Sequence, residues 1–178
     1  MAGRYGGKHD LTFEQYHDVP AQWSAEGIVQ QMQSLGGRYD LSYSGPRGYQ
    51  VMWYRLSDGI RAHDAACIEL AVRFIEDRFI SSYSGFARTR MARALKQAQL
   101  SEDQKSRLSH HFLRLLETGD RTDEFSQYLR LWPTVISSRD RSRALELAEK
   151  LKSDAPEFHR RLVDTLTSNN SFEADREA

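Results

Sequence analysis

Apolar residues recur with the period of an α-helix through most of the chain after residue 58. The pattern is clearest over 60–80, where the apolar stripe is unusually wide. That stripe consists of Ile68, Ala71, Val72, Ile75 and Phe79, and it is widened by Cys67, Leu70 and Phe74. We therefore predict a helix over 60–80 that lies at the centre of the core.

Boundary signals predict further helices. Pro20 begins a helix that ends near Leu35, before two glycines. Ser101 and Gln104 form a capping-box pattern, and Pro156 suits the first turn of the last helix. In the helix over 85–98 the inward residues are predicted to be Phe86, Met91, Ala94, Leu95 and Ala98. The remaining predicted helices cover 101–118, 122–132 and 138–152, and a last one starts near 154.

One stretch alternates between apolar and polar residues, as half-buried strands do. It runs from Tyr39 to Tyr43 and is followed by Gly-Pro-Arg-Gly at 45–48. A run rich in aromatic and branched residues, Tyr49 to Leu56, comes next. Two such runs around a short turn predict a β-hairpin. A lone hairpin is only marginally stable in water, so we expect it to pack against the flanking helices.

Together these patterns predict a mainly α fold: a helical bundle of about six helices with an N-terminal α–β-hairpin piece. We assign residues 1–58 to the N-terminal helix and hairpin and residues 59–167 to the bundle. Residues 168–178 are polar and are predicted to form a flexible tail.

Composition narrows the classes of protein. With 39% hydrophobic and 28% charged residues among 178, the chain has the make-up of a folded domain. Its formal net charge is zero, so no whole-molecule attraction to nucleic acid or membrane is expected. Residues 1–10 lack the apolar stretch of a signal peptide, and no run approaches the roughly 18 apolar residues of a membrane span. We expect a cytoplasmic protein that does not bind membranes.

Patterns that carry catalytic chemistry are missing from the sequence. No two histidines have the i, i+4 spacing with a carboxylate that zinc hydrolases use. His110 and His111 are adjacent, so they point about 100° apart on a helix. Ser84-Gly85 lacks the preceding glycine of a nucleophile elbow. We therefore predict a non-enzymatic protein without metal or cofactor.

Positive charge is concentrated in the middle of the chain, although arginine accounts for 20 of the 25 cationic residues throughout. Two clusters could contact phosphates or a partner. They are Arg88, Arg90 and Arg93, and then Arg139, Arg141 and Arg143. The alternative is that these arginines form solvated surface paired with nearby acids.

The predicted hairpin supplies a second candidate surface. Tyr49 and Trp53 share one face of the second strand with Val51, and Arg47 lies at the tip of the turn. Such a face could stack nucleic-acid bases, with Arg47 reaching a phosphate. Alternatively, the same face packs against helices.

Residues 41–51 also resemble a known motif. Ser44-Gly45-Pro46-Arg47-Gly48-Tyr49-Gln50 looks like the Ser-Gly-x-x-Gly-x-His segment of archaeo-eukaryotic-type primases. In that family the histidine helps to hold the incoming nucleotide, and Gln50 stands at its position here. The family's Asp-x-Asp metal pair on an earlier strand has no counterpart in residues 8–18. The resemblance therefore implies a degenerate relative of a nucleotidyl-transfer enzyme.

Three functions follow from these observations. The first is a non-enzymatic helical interaction protein that docks a protein partner, as a subunit or accessory factor of a nucleic-acid-handling assembly. The second is a protein that binds nucleic acid directly through the arginine clusters and the hairpin. The third is the degenerate primase-like protein.

Overall fold

The computed structural model describes residues 19–42, 47–78, 83–119 and 125–168. Within these ranges the chain forms eight α-helices and no strands, so the mainly α prediction is confirmed, and the number of helices exceeds the predicted six. The helices are α1 (Ala25–Ser34), α2 (Gly48–Arg61), α3 (Ala65–Asp77), α4 (Ser84–Leu95), α5 (Glu102–Glu117), α6 (Phe125–Leu131), α7 (Ser138–Lys150) and α8 (Pro156–Thr167). Short 3-10 helices cover Ala21–Trp23 and Trp132–Thr134.

The predicted β-hairpin is wrong. The residues assigned to its second strand lie in α2, residues 39–42 form no strand, and residues 43–46 lie outside the described ranges. Five apolar residues of α2 follow the helical spacing and are buried: Tyr49, Met52, Trp53, Leu56 and Ile60. A helix buries this whole set on one face, whereas a strand would bury only alternate positions. In this segment the helical period of the apolar residues therefore decides the structure, and the two-residue period does not.

Helix α3 occupies the centre of the core, as its wide apolar stripe predicts. Eight of its 13 residues are buried, and it packs against α1, α2, α4 and α5. Asp64 caps its start by accepting a hydrogen bond from the Cys67 amide at 2.9 Å. A helix that is apolar on most sides must be surrounded by other helices, and α3 is.

An aromatic cluster fixes the N-terminal part of the chain to α3. The Phe74 ring lies between Trp23 and Trp53, with ring centroids 4.8 Å and 4.1 Å away. Both indoles are at most 2% exposed. The Tyr49 hydroxyl donates a buried hydrogen bond of 2.7 Å to the Trp23 carbonyl, and the Trp23 indole N–H donates to Asp77. These contacts join α2 and the first 3-10 helix to α3.

The polar strip of α3 faces α5 and is bridged by one arginine. Arg107 binds Glu69 at 3.0 Å and also binds Glu76. Glu69 accepts further hydrogen bonds from Gln104 at 3.0 Å and Arg73 at 2.8 Å. Burial works against ionisation of Glu69, but the hydrogen bonds from these three side chains hold its pKa below the ordinary value. The strip therefore joins α3 to α5 by charge-assisted hydrogen bonds.

A second aromatic cluster organises the C-terminal half. Phe112 of α5 stacks on Tyr128 of α6 with centroids 4.8 Å apart and meets Trp132 edge-on at 6.1 Å. Phe125 reaches Phe158 of α8 at 5.7 Å. Helix α7 packs between α5 and α8. One continuous set of buried side chains extends from Trp23 to Leu166.

The predicted division at residue 58 falls inside α2, which ends at Arg61. The predicted tail, 168–178, lies outside the described ranges except for Ser168. Among the described helices, none combines the length and apolar character needed to cross a lipid bilayer.

Replacing Gly59 by alanine tests the close approach of α2 to α3. A Cβ atom at Gly59 would lie 2.4 Å from Cys67 Sγ and 3.0 Å from the Tyr39 ring. In an open helix this change would stabilise by about 1 kcal/mol, but here we expect a loss of about 1–3 kcal/mol from overpacking. Urea unfolding followed by circular dichroism measures the difference. Cys67→Ala in the same chain should recover part of the loss, whereas a stabilised G59A variant or strict additivity would contradict the packing.

Glu69→Gln tests the charged bridge through its pH dependence. A carboxyl whose pKa is lowered by folding stabilises the protein above its unfolded pKa and loses that contribution as pH falls through the folded pKa. We therefore expect the stability difference between wild type and Glu69→Gln to be largest near neutral pH. It should shrink in the acid range below the ordinary value of 4.5. Urea unfolding at a series of pH values measures it, with exposed Glu26→Gln as the isosteric control. Equal pH slopes for both variants would show that the bridge adds nothing.

Candidate functional site

Tyr49 and Trp53, predicted as a stacking platform, are interior residues. Tyr49 is 7% exposed and Trp53 is not exposed at all. The Trp53 ring contacts Phe74 on one side and Tyr49 edge-on at 5.6 Å. The structure therefore places this face against helices, which was the alternative interpretation. Arg47 is exposed at the N-cap of α2 and not at a hairpin tip.

The three arginines of α4 point in different directions. Arg88 is only 6% exposed, and its Nη2 lies 3.4 Å from Ser84 Oγ in the same helix. Arg90 is half-buried, with its guanidinium 4.2 Å above the centre of the Tyr54 ring. Arg93 is exposed and donates from Nε to the Gln127 side-chain oxygen at 3.1 Å. Only Arg90 and Arg93 remain at the surface.

The second arginine cluster, on α7, is also divided. Arg143 is exposed and binds Glu117 and Glu146, each at 3.2 Å, and the hydrogen bond that its Nε donates to Glu117 raises its pKa most. Arg141 is half-buried. Arg139 is exposed and has no ion pair with any residue described. Arg139 and Arg143 line one cavity of about 400 Å³, together with His110, Leu113 and Asp140.

A serine, an aspartate and a histidine meet at the edge of this cavity. Ser109 Oγ donates to the buried carboxylate of Asp140 at 2.6 Å, and His110 Nε2 lies 3.6 Å from the same oxygen. A hydrolytic triad needs the histidine between the serine and the carboxylate, so that it can take the serine proton. Here the carboxylate lies between them. The Asp140 backbone N–H also donates to Ser137 Oγ at 3.0 Å, so the group secures the start of α7 against α5.

The remaining candidates for reactive chemistry are the thiol of Cys67 and groups of potential metal ligands. Cys67 is fully buried, and burial raises the pKa of its thiol, which keeps it protonated and unreactive. Within the described ranges no group of three or more His, Cys, Asp or Glu side chains is arranged to hold a metal ion. The segment that resembles primases spans residues 43–46, which lie outside those ranges, and continues into α2 from Gly48.

Exposed aromatic side chains on α2 and α4 form a surface that the sequence patterns missed. Among the described residues the large hydrophobic side chains with the greatest exposure are Phe86 (49%), Val29 (37%) and Tyr54 (36%). The Phe86 ring meets Tyr54 at 6.2 Å and 82°, and Tyr83 at 5.0 Å. With Arg90 over Tyr54, these residues make up what we call the aromatic–arginine patch: Tyr54, Tyr83, Phe86 and Arg90.

Helical geometry explains why the patch faces outward. The prediction that Phe86 points inward is wrong, because the buried stripe of α4 runs through Ala87, Met91 and Leu95. Phe86 lies one position, about 100°, from that stripe and shares its own stripe with Arg90 and Arg93. The i, i+4, i+7 spacing of these three residues is the signal that would have identified the surface.

The charge of the patch comes from its arginine. Burial and the neighbouring Tyr54 hydroxyl raise the pKa of Tyr83, while Arg90 opposes the rise. The phenol therefore stays neutral at physiological pH. A guanidinium over an exposed aromatic ring is stabilised by about 0.5–1 kcal/mol. The patch thus presents two half-exposed rings and a cation held in place by one of them.

Comparisons of this chain with protein-family models, with curated proteins and with solved structures gave no significant match.

Proposed function

We propose that this chain is a non-enzymatic interaction protein that docks a protein partner through the aromatic–arginine patch. The observation that carries the proposal is the contact between Phe86, 49% exposed, and Tyr54, 36% exposed, beneath the Arg90 guanidinium. Aromatic residues and arginine are enriched at the centres of protein interfaces, where a few of them supply most of the binding free energy.

Burial energetics support a docking role for Phe86. Fully burying a phenylalanine side chain is worth about 1.5–3 kcal/mol, so covering the exposed half of this ring would contribute about 1 kcal/mol. Its neighbour Tyr54 adds further area. Both side chains rest on rigid helices, so little conformational entropy is lost when a partner covers them.

Direct binding of nucleic acid is the second candidate. It is favoured by exposed cations that have no carboxylate partner among the described residues, and Arg93, Lys96 and Arg139 are three of them. Arg139 also borders the cavity that contains His110. Unpaired surface cations can neutralise phosphates and release counterions. A nucleic-acid-handling assembly is compatible with both candidates.

Phe86→Ser tests the docking function against a matched control. Val29→Ser on α1 removes a similarly exposed apolar side chain at a position outside the patch. We expect both variants to stay within about 1 kcal/mol of wild-type stability, because neither side chain belongs to the core. In affinity purification from the native host with quantitative mass spectrometry, Phe86→Ser should lower partner recovery about tenfold or more, in line with a hot-spot residue. A chain that stays monomeric and captures no partner, or equal recovery with both variants, would remove the proposal.

The nucleic-acid candidate predicts salt-dependent retention. Fluorescence anisotropy with labelled DNA and RNA at two salt concentrations should show binding that weakens steeply as salt rises. The double variant Arg93→Glu and Arg139→Glu should weaken it further, whereas Glu26→Gln should not. Retention that is absent, or insensitive to salt, would dismiss direct binding. Arg88 is unsuitable for this test, because reversing a buried charge would unfold the helix packing.

A further inference from the structure

The charges around the aromatic–arginine patch are unbalanced. Helix α4 contains three arginines and no acidic residue. The two that reach the surface have neutral partners: Arg90 lies on the Tyr54 ring and Arg93 on the Gln127 amide. Lys96 follows Arg93 by three positions and is exposed without an ion pair among the described residues. The positive charge on this face is therefore not cancelled within the described structure.

Helix α2 does not supply the missing negative charge. Asp58, one turn past Tyr54, is already bound to Arg61 at 2.8 Å. Asp40, from the segment before α2, binds Arg55 at 3.2 Å. Arg47, at the N-cap of α2, is exposed and has no carboxylate partner among the described residues. Within the described structure, neither α2 nor α4 therefore offers a free carboxylate to Arg90, Arg93 or Lys96.

We infer that the partner segment that occupies the patch is acidic, with a bulky apolar side chain as its anchor. The inference rests on the proposed docking function. The anchor packs against Phe86 and Tyr54, and the carboxylates beside it face Arg93 and Lys96. Charge complementarity of this kind steers association and selects among partners.

The shape of the patch favours a peptide over a nucleic-acid base. The Tyr54 and Phe86 rings meet edge to face at 82°, so together they do not form one flat surface on which a base can stack. Arg90 already lies over the Tyr54 ring. A branched or aromatic side chain can pack against two inclined rings, and the carboxylates of an acidic peptide would supply the negative charge that phosphates supply in a nucleic acid.

Selection from a random peptide library provides the test. Displayed peptides of about twelve residues, long enough to cover a hot-spot patch, are selected on the full chain, and those that still bind Phe86→Ser are discarded. The patch-dependent peptides should have net negative charge and contain Phe, Trp or Leu. The best one is labelled and titrated against wild type, the double variant Arg93→Glu/Lys96→Glu, and exposed Arg160→Glu on α8 as the control.

We expect the double reversal to weaken binding of this peptide about tenfold and the Arg160 control to leave binding unchanged. Binding by wild type should also weaken as salt rises.

Patch-dependent peptides that are neutral or basic would overturn the inference while the docking function stands. Both the inference and the docking function fail if no selected peptide requires Phe86 for binding and if Phe86→Ser also leaves the recovery of host partners unchanged. A labelled oligothymidine that binds wild type but neither Phe86→Ser nor the double variant would make nucleic acid the occupant instead. Circular dichroism melts confirm that each variant is folded.

Discussion

Burial of helix α3 on most of its sides is the constraint from which the rest of the structure follows. A helix with eight buried residues out of 13 must be covered by several neighbours, and α1, α2, α4 and α5 supply that cover. The carboxylates of Glu69 and Glu76 on its one polar strip would be costly to leave unpaired near the core, and Arg107 of α5 pairs with both. None of the C-terminal helices needs α3 as its main neighbour: α6 packs on α4, α7 on α5 and α8 on α7. Helices α2 and α4 turn their buried faces to α3 and to each other, and the aromatic–arginine patch lies on the part of their surface that these contacts leave open to solvent.

Capped helix starts were the most predictable part of the fold, because capping is a local interaction, whereas the single helix predicted over 60–80 is divided between the end of α2 and α3. Ser101 and Gln104 form the expected reciprocal capping box at the start of α5, and Pro156 stands in the first turn of α8. The hairpin failed because Tyr49, Val51 and Trp53 fit a two-residue period while Tyr49, Trp53 and Leu56 fit a helical one. Local sequence could not choose between the periods. Packing of Trp53 against Phe74, which lies 21 positions along the chain, makes the choice.

Only part of the aromatic–arginine patch could be predicted from the sequence. The outward direction of Arg90 and Arg93 follows from their helical spacing. The burial of Arg88 was also readable, since Arg88, Met91 and Leu95 are three and seven positions apart on one face. The role of Tyr54 was not accessible from its own helix, because a lone exposed tyrosine is ordinary. Tyr54 becomes a candidate binding residue only through its contacts with Phe86 and Arg90, which the packing of α2 against α4 brings beside it.

The single thiol of this chain gives access to its internal motion. Cys67 is fully buried in the seam between α2 and α3, in contact range of Gly59, and its raised pKa keeps it protonated. A thiol-specific alkylating reagent can therefore modify it only when the two helices separate. The rate of modification would report how often α2 and α3 separate, just as the hydrogen-exchange rate of a buried backbone amide reports local opening. The native sequence thus carries its own probe of local unfolding, without any engineered label.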